Sequence, residues 1–261
     1  MPSISFLGTG SGIPSADSFF SSALVRLDGK YLLVDAGEPC VHLLRDRGSI
    51  LLNLDALLLT HGHVDHVGGV PALLQGCRLL GRSKPLPIHL PAEMIAPLRA
   101  WISALYLTEE AMGFPVSWHA WEPGQGVDFG NGIAVTPHLN GHLRACYAGK
   151  PGAEVSRPCE SFSFEVTYGS FRAVFSGDLA SPGELASLLV RPVSVLVSEL
   201  SHFKAEELAE VLRPVTLHAL CLVHLAEEYA LDRGALGALL EQLLPQVSDV
   251  FLPEDGEVLD F

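Results

Sequence analysis

Three observations predict an α/β fold for this chain. Short apolar runs alternate with amphipathic stretches along its whole length. Five of the runs end in a side chain suited to metal binding or proton transfer: Asp35 in "YLLVD", His61 in "LLLTH", Asp178 in "AVFSGD", Glu199 in "SVLVSE" and His224 in "LCLVH". With 261 residues, 48% of them hydrophobic, the chain can bury a large core. In α/β sheets, ligand sites gather beyond the carboxyl ends of strands. A lone strand-end aspartate is usually a turn residue or a helix cap. Five such ends carrying Asp, Glu and His read instead as one rim.

The elements follow in order. "SISFLG", "SALVRL", "KYLLVDAG" and "ALLLTH" read as strands, being short, apolar and rich in β-formers. "VGGVPALLQGCRLL" has helical spacing of its apolar residues, and "AEMIAPLRAWISALYL", after "PLPIHLP", reads as a second amphipathic helix. "IAVTP", "ESFSFEVTYGSFRAVFSGD" and "PVSVLVSEL" are strands, with Tyr168-Gly169-Ser170 as a hairpin turn. "FKAEELAEVL" is a helix, "HALCLVH" a strand and "ALGALLEQLL" a closing helix. No linker of Pro, Gly or Ser character interrupts the sequence, so residues 1–261 read as a single domain, and no repeat is visible.

Composition narrows the function. A formal net charge of −14 repels polyphosphates unless a local basic patch intervenes, which weighs against nucleic acid. The opening "MPSISFLGTGSG" lacks the basic start and long apolar run of a signal peptide, and no apolar run reaches membrane-spanning length. Five cysteines without a CxxC pair suit reduced thiols in a cytoplasmic protein, although Cys146 and Cys159 are a conceivable bridge. The glycine-rich "GTGSG" lacks the Gly-Lys-Ser/Thr ending of a phosphate-binding loop, so its glycines read as turn formers. Phe19 and Phe20 behind it are candidates for stacking on a base, but more simply for burial.

The densest chemistry lies in "LLLTHGHVDHVGG", with three histidines and an aspartate inside six positions. His61 and His63, two apart, project to one side of an extended segment; Asp65 and His66 follow where the chain turns helical. One four-coordinate ion takes four ligands from six consecutive residues only with strain. Two neighbouring ions, each completing its shell from distant strands, remove that strain.

His61-Gly-His63-Val-Asp65-His66 resembles the HxHxDH motif of the metallo-β-lactamase superfamily, and the later motifs appear in order. His142 in "TPHLNGH" resembles the third-motif histidine, with His138 as the alternative; Asp178 in "FSGDLA" resembles the bridging carboxylate and His224 in "LVHLAEEY" the last histidine. The resemblance implies a four-layer αβ/βα sandwich holding two divalent ions, zinc or else manganese. One ion would lie among His61, His63 and His142 and the other among Asp65, His66 and His224, bridged by Asp178 and a hydroxide. Asp65 would also serve the catalytic step, and Asp35 would steady the motif loop. His42, His89, His119 and His218 read as surface or satisfied core histidines.

Within the superfamily, "SFLGTGSGIPSADSFFSSALVRLDGKYLLVDAGE" and "GGVPALLQGCRLLGRSKPLPIHLP" resemble the ribonuclease Z branch, which includes tRNA 3′-processing nucleases and smaller phosphodiesterases. Glu199 in "SELSH" resembles that branch's HEAT-type motif, with Ser198 and Ser201 replacing its His and Thr. His202 then falls where a histidine assists leaving-group protonation. The resemblance departs at one place. The nuclease carries a long tRNA-clamping arm between the third-motif histidine and the bridging aspartate, whereas His142 and Asp178 are 36 positions apart. What remains beside the hairpin, residues 143–159, is a short loop or lid bearing Arg144, Lys150 and Arg157. The expectation is a hydrolase of small phosphodiesters, homodimeric by analogy with the branch. A tRNA-processing nuclease, a thioesterase or lactonase on the same scaffold, and a metal-stabilised binding protein are the alternatives.

Overall fold

A computed structural model describes residues 1–46, 49–147 and 158–261. Among these residues the chain forms fourteen strands in two seven-stranded sheets. In chain order they are β1 (Ser3–Gly8), β2 (Ser22–Leu27), β3 (Lys30–Val34), β4 (Ala56–Leu58), β5 (Leu86–Leu90), β6 (Val116–Ala120), β7 (Val127–Asp128), β8 (Ile133–Asn140), β9 (Ser161–Tyr168), β10 (Phe171–Phe175), β11 (Val193–Leu200), β12 (Leu217–Leu225), β13 (Asp249–Phe251) and β14 (Val258–Asp260). The chain divides into two compact units, Met1–Trp121 with Glu254–Asp260, and Glu122–Pro253 with Phe261.

The first unit holds a mixed sheet of order β14-β1-β2-β3-β4-β5-β6. Its β14-β1-β2-β3 portion is antiparallel, and β3 to β6 run parallel. Antiparallel neighbours need only tight turns, while each parallel step needs a crossover that carries helix. The helix Val70–Leu79 supplies one such crossover. Its Val70, Leu73, Leu74 and Cys77 recur at helical spacing and are buried, forming one apolar stripe. That stripe shares a core with Leu33, Leu57 and Ile88, one residue from each of three adjacent parallel strands. Each such buried aliphatic side chain contributes about 1.5–3 kcal/mol relative to exposure.

The second unit repeats this plan. Its sheet order is β13-β12-β11-β10-β9-β8-β7, antiparallel from β7 to β10 and parallel from β10 to β13. The β9–β10 hairpin closes through Gly169-Ser170 with Tyr168 opposite Phe171, where Gly169 takes φ +57. β11 and β12 are buried over nearly their whole lengths, as parallel strands covered on both faces must be. The helix Ala205–Leu212 packs Leu208 and Leu212 into a core shared with Leu196, Leu220, Leu236 and Leu240. The matched topologies are an internal repeat that the residue pattern conceals.

Several boundaries differ from the expectation. "KYLLVDAG" and "ALLLTH" stop as strands at Val34 and Leu58, leaving Asp35 and His61 on the loops beyond. The single helix expected after the histidine cluster is two, Val64–Val67 and Val70–Leu79, so Asp65 and His66 sit on a helical turn of their own. The short helices Cys40–Asp46, Ile50–Asn53 and Glu109–Met112 and the strands β6, β7, β13 and β14 carry too few periodic residues for their patterns to register. Residues 143–147 of the expected loop belong to a helix, His142–Tyr147, whereas Lys150, Arg157 and most of the expected lid lie outside the described residues. All five cysteines are thiols rather than disulfide halves. No helix among the described residues is long and apolar enough to cross a membrane.

Candidate metal centre

In the first unit, β3 and β4 end side by side, and the loops that leave them carry the ligand-type residues. Asp35 directly follows β3 and takes φ +57, a left-handed conformation that costs a non-glycine residue on the order of 1 kcal/mol. What holds it there is its carboxylate. Oδ1 accepts the Thr60 amide at 2.8 Å; Oδ2 accepts the Thr60 hydroxyl at 2.8 Å and His66 Nδ1 at 2.7 Å. With Nδ1 donating to a carboxylate, His66 presents Nε2 as its lone-pair nitrogen. That nitrogen lies 3.4 Å from Asp65 Oδ2. The His61 ring centroid is 4.7 Å from that of His63 and 4.2 Å from that of His66. His61, Asp65 and His66 are buried and His63 is half-buried. Gly37 permits the close packing, since a Cβ there would stand 2.4 Å from the Asp65 carbonyl oxygen.

In the second unit, the ends of β8, β10, β11 and β12 supply the residues. His142 opens a helix two residues after β8, its amide accepted by Asn140 Oδ1 at 3.2 Å. Asp178 follows β10 in the turn that begins at Ser176. His224 interrupts the β11–β12 register: Glu199 pairs with Val223, Leu200 pairs with Leu225, and His224 between them is the extra residue at φ +49. A bulge of this kind re-aims a side chain that regular alternation would send elsewhere. One oxygen, Asp178 Oδ2, then lies 3.6 Å from His142 Nε2 and 3.5 Å from His224 Nε2.

Glu199 organises this half. Its buried carboxylate accepts the amides of Leu179 (2.7 Å), Ser201 (3.0 Å) and His202 (3.1 Å), the Ser201 hydroxyl (3.1 Å) and His202 Nδ1 (2.8 Å). Ser201 Oγ also stands 2.9 Å from His224 Nδ1. The His202 ring is 4.7 Å from that of His142 and 5.8 Å from that of His224, and its side chain is one-third exposed.

The donor sets fit divalent metal ions. Two ligand atoms about 2.1 Å from one tetrahedral ion stand about 3.4 Å apart. The carboxylate–imidazole separations of 3.4, 3.5 and 3.6 Å match that value, and each exceeds a hydrogen bond. Asp178, His202 and His224 also offer ligand atoms that lie within 4.8 Å of one another. Burying carboxylates and imidazoles together is costly unless a cation compensates.

Each unit therefore gathers its own share of the expected residues: Asp35, His61, His63, Asp65 and His66 in the first, His142, Asp178, Glu199, His202 and His224 in the second. His138 lies apart, in mid-strand on β8 opposite Ser163. Burial lowers its pKa, with the Glu165 and Arg172 charges beside it acting in opposite directions. His89 is buried on β5, its ring 4.9 Å from those of His119 and Trp121; burial and then His119 push its pKa down to about 4. Phe19 is exposed and Phe20 half-buried. One residue in the first unit escaped the sequence reading. Asp255 accepts the Thr9 amide and hydroxyl, both at 2.8 Å, and the Phe19 amide, closing the base of the glycine-rich loop. Its "EDG" context signals only a turn.

Known proteins agree with this architecture. A 130-residue segment, half of this chain, is 34% identical to ribonuclease Z of Bradyrhizobium diazoefficiens and covers 43% of that protein. The chain thus spans less than half the length of this curated relative. The metallo-beta-lactamase fold protein YhfI from Bacillus subtilis superposes with a TM-score of 0.76 at 20% identity, over 99% of this chain and 98% of that one. Human tRNase Z, short form, superposes with a TM-score of 0.74 at 17% identity, over 99% and 98%. Both are likenesses of fold. The profile of the beta-lactamase superfamily domain matches residues 30–230, most of the chain. The protein belongs to the beta-lactamase superfamily and has the metallo-β-lactamase fold, two mixed sheets flanked by helices.

Proposed function

We propose that the protein is a dinuclear metal-dependent hydrolase of phosphodiesters, with residues 1–261 acting as one catalytic domain. The observation that carries the reading is the single Asp178 oxygen placed between His142 Nε2 and His224 Nε2, the arrangement of a carboxylate shared by two ions. On the family resemblance, His61, His63 and His142 would hold one ion and Asp65, His66 and His224 the other, with Asp178 serving both. When bound, such a pair supplies charge stabilisation at a phosphoryl group and an activated water. Histidine-rich shells with carboxylates suit zinc, and manganese is the second choice.

The chain's own residues provide the rest. Asp35 fixes the tautomer of His66 directly, and Glu199 fixes that of His224 through the Ser201 hydroxyl. Asp65 turns its carboxylate toward the His66 ligand nitrogen. His202 is the general acid in its protonated form: Glu199 accepts from Nδ1 and stabilises the imidazolium, the Nε2 proton goes to the leaving oxygen, and the exposed side chain regains it from solvent. Glu199 then acts through His202, Ser201 and the Asp178 turn rather than on substrate.

Two substrate classes follow. The net charge of −14 and the 36-position interval from His142 to Asp178 support a small phosphodiester or nucleotide. The ribonuclease Z name of the curated relatives supports a tRNA precursor just as directly. A cytoplasmic homodimer is part of the same proposal. The test sets purified, metal-loaded protein against cyclic nucleotides, linear dinucleotides, a tRNA precursor, a thioester and a lactone. Turnover of a small phosphodiester without cleavage of the precursor selects the first class; cleavage at the tRNA 3′ end selects the second. Turnover of acyl substrates alone, or of none, overturns the proposal.

A further inference from the structure

We propose that Glu184 is a positioning residue that locks His142 and Asp178 into register; the proposal rests on the reading of these two as metal ligands. The Glu184 carboxylate, half-buried on the 3-10 turn Pro182–Leu185, accepts two backbone amides from different segments. Oε1 accepts Gly141 N at 2.7 Å, and Oε2 accepts Ala180 N at 2.9 Å. Gly141 immediately precedes His142, and Ala180 lies two residues beyond Asp178. One side chain thus joins the two turns that carry the ligands, although Gly141 and Glu184 are 43 positions apart.

A second observation points the same way. A Cβ on Gly141 would stand 2.8 Å from Glu184 Oε1 and 3.4 Å from the Ala180 Cβ. The residue before His142 therefore has no side chain where the two turns close on each other, and the carboxylate fills that space. An N–H donor bound to an ionised oxygen is stronger and shorter than a neutral pair, and two such bonds to one rigid carboxylate fix a distance as well as an attachment. The distance at stake is the 3.6 Å from His142 Nε2 to Asp178 Oδ2, two atoms proposed to share an ion.

The test compares Glu184→Ala, Glu184→Gln and Gly141→Ala in the full-length protein. Zinc affinity is read by chelator competition and by the rise in Tm on metal loading, and amide hydrogen exchange is followed at Gly141 and Ala180. Glu184→Ala is expected to weaken zinc about tenfold or more, the range for residues that orient metal ligands, and to speed exchange at both amides together. Glu184→Gln retains one acceptor oxygen, protects one amide and falls between. Gly141→Ala, which displaces the carboxylate without removing it, reproduces the loss of affinity. A purely structural role would lower the Tm of metal-free and metal-loaded protein equally and leave affinity within twofold of wild type, which overturns the proposal, as does unchanged exchange at the two amides. Wild-type protein that takes up no zinc overturns the reading of the site itself, a result separable from the exchange measurement.

Discussion

The Ser201 hydroxyl stands 2.9 Å from His224 Nδ1 while its own proton points to Glu199, 3.1 Å away. A small alcohol thus relays a carboxylate to an imidazole, where the other unit joins Asp35 and His66 without an intermediary. Ser201→Ala is expected to weaken metal binding about 10–100-fold, the range for removing a partner of a metal-ligating histidine. Ser201→Thr keeps the hydroxyl and restores binding. Equal chelator-competition curves for the alanine variant and wild type would show the relay to be idle.

Asp178→Ala removes the oxygen set between His142 and His224. Bound metal, measured by elemental analysis, is expected to fall by one ion per chain, and hydrolysis of bis(p-nitrophenyl) phosphate to vanish. Unchanged turnover would rule out the assignment of the centre.

His142 and His138 are separated by the same approach. His142→Ala is expected to lower metal content, because its Nε2 faces Asp178. His138→Ala is expected to leave metal content untouched, because its ring sits in mid-strand beside Glu165 and Arg172. The opposite pattern would exchange their roles.

Asp35→Asn keeps the size of a side chain that accepts three hydrogen bonds but substitutes a donor for one acceptor oxygen. One buried donor then loses its partner, at about 1–3 kcal/mol. The expected result is a lower Tm in metal-free protein together with weaker metal binding. A drop in only one of the two would separate folding of the loop from ligand orientation.

His89 predicts a pH dependence. Its pKa falls from 6.5 to about 4 on folding, through burial first and His119 second. Between those values the unfolded chain binds the proton that the folded chain refuses, so stability falls as pH drops from 6.5 toward 4. Metal-free wild type is expected to lose Tm across that window more steeply than His89→Gln. Parallel Tm–pH curves for the two proteins would show that this histidine contributes nothing.

Much of this was legible along the chain. Apolar runs ending in Asp35, His61, Asp178, Glu199 and His224 mark the strand ends because a buried strand must stop being apolar where it leaves the core. The motif "HGHVDH" is local, so its four ligand-type residues are neighbours along the chain before any long-range contact forms. The helices Val70–Leu79 and Ala205–Leu212 are long enough for their periodicity to show.

The tertiary structure alone decided how those residues are held. The left-handed backbone at Asp35 depends on Thr60 and His66 meeting its carboxylate, and the bulge that turns out His224 reflects register against β11, neither of which a local pattern encodes. Asp255 reaches Thr9, and Glu184 reaches Gly141, only once strands distant in sequence have paired. Composition and periodicity specify which surfaces are buried. A hydrogen bond across 246 positions depends on where two backbones come to rest, and only the folded sheets fix that.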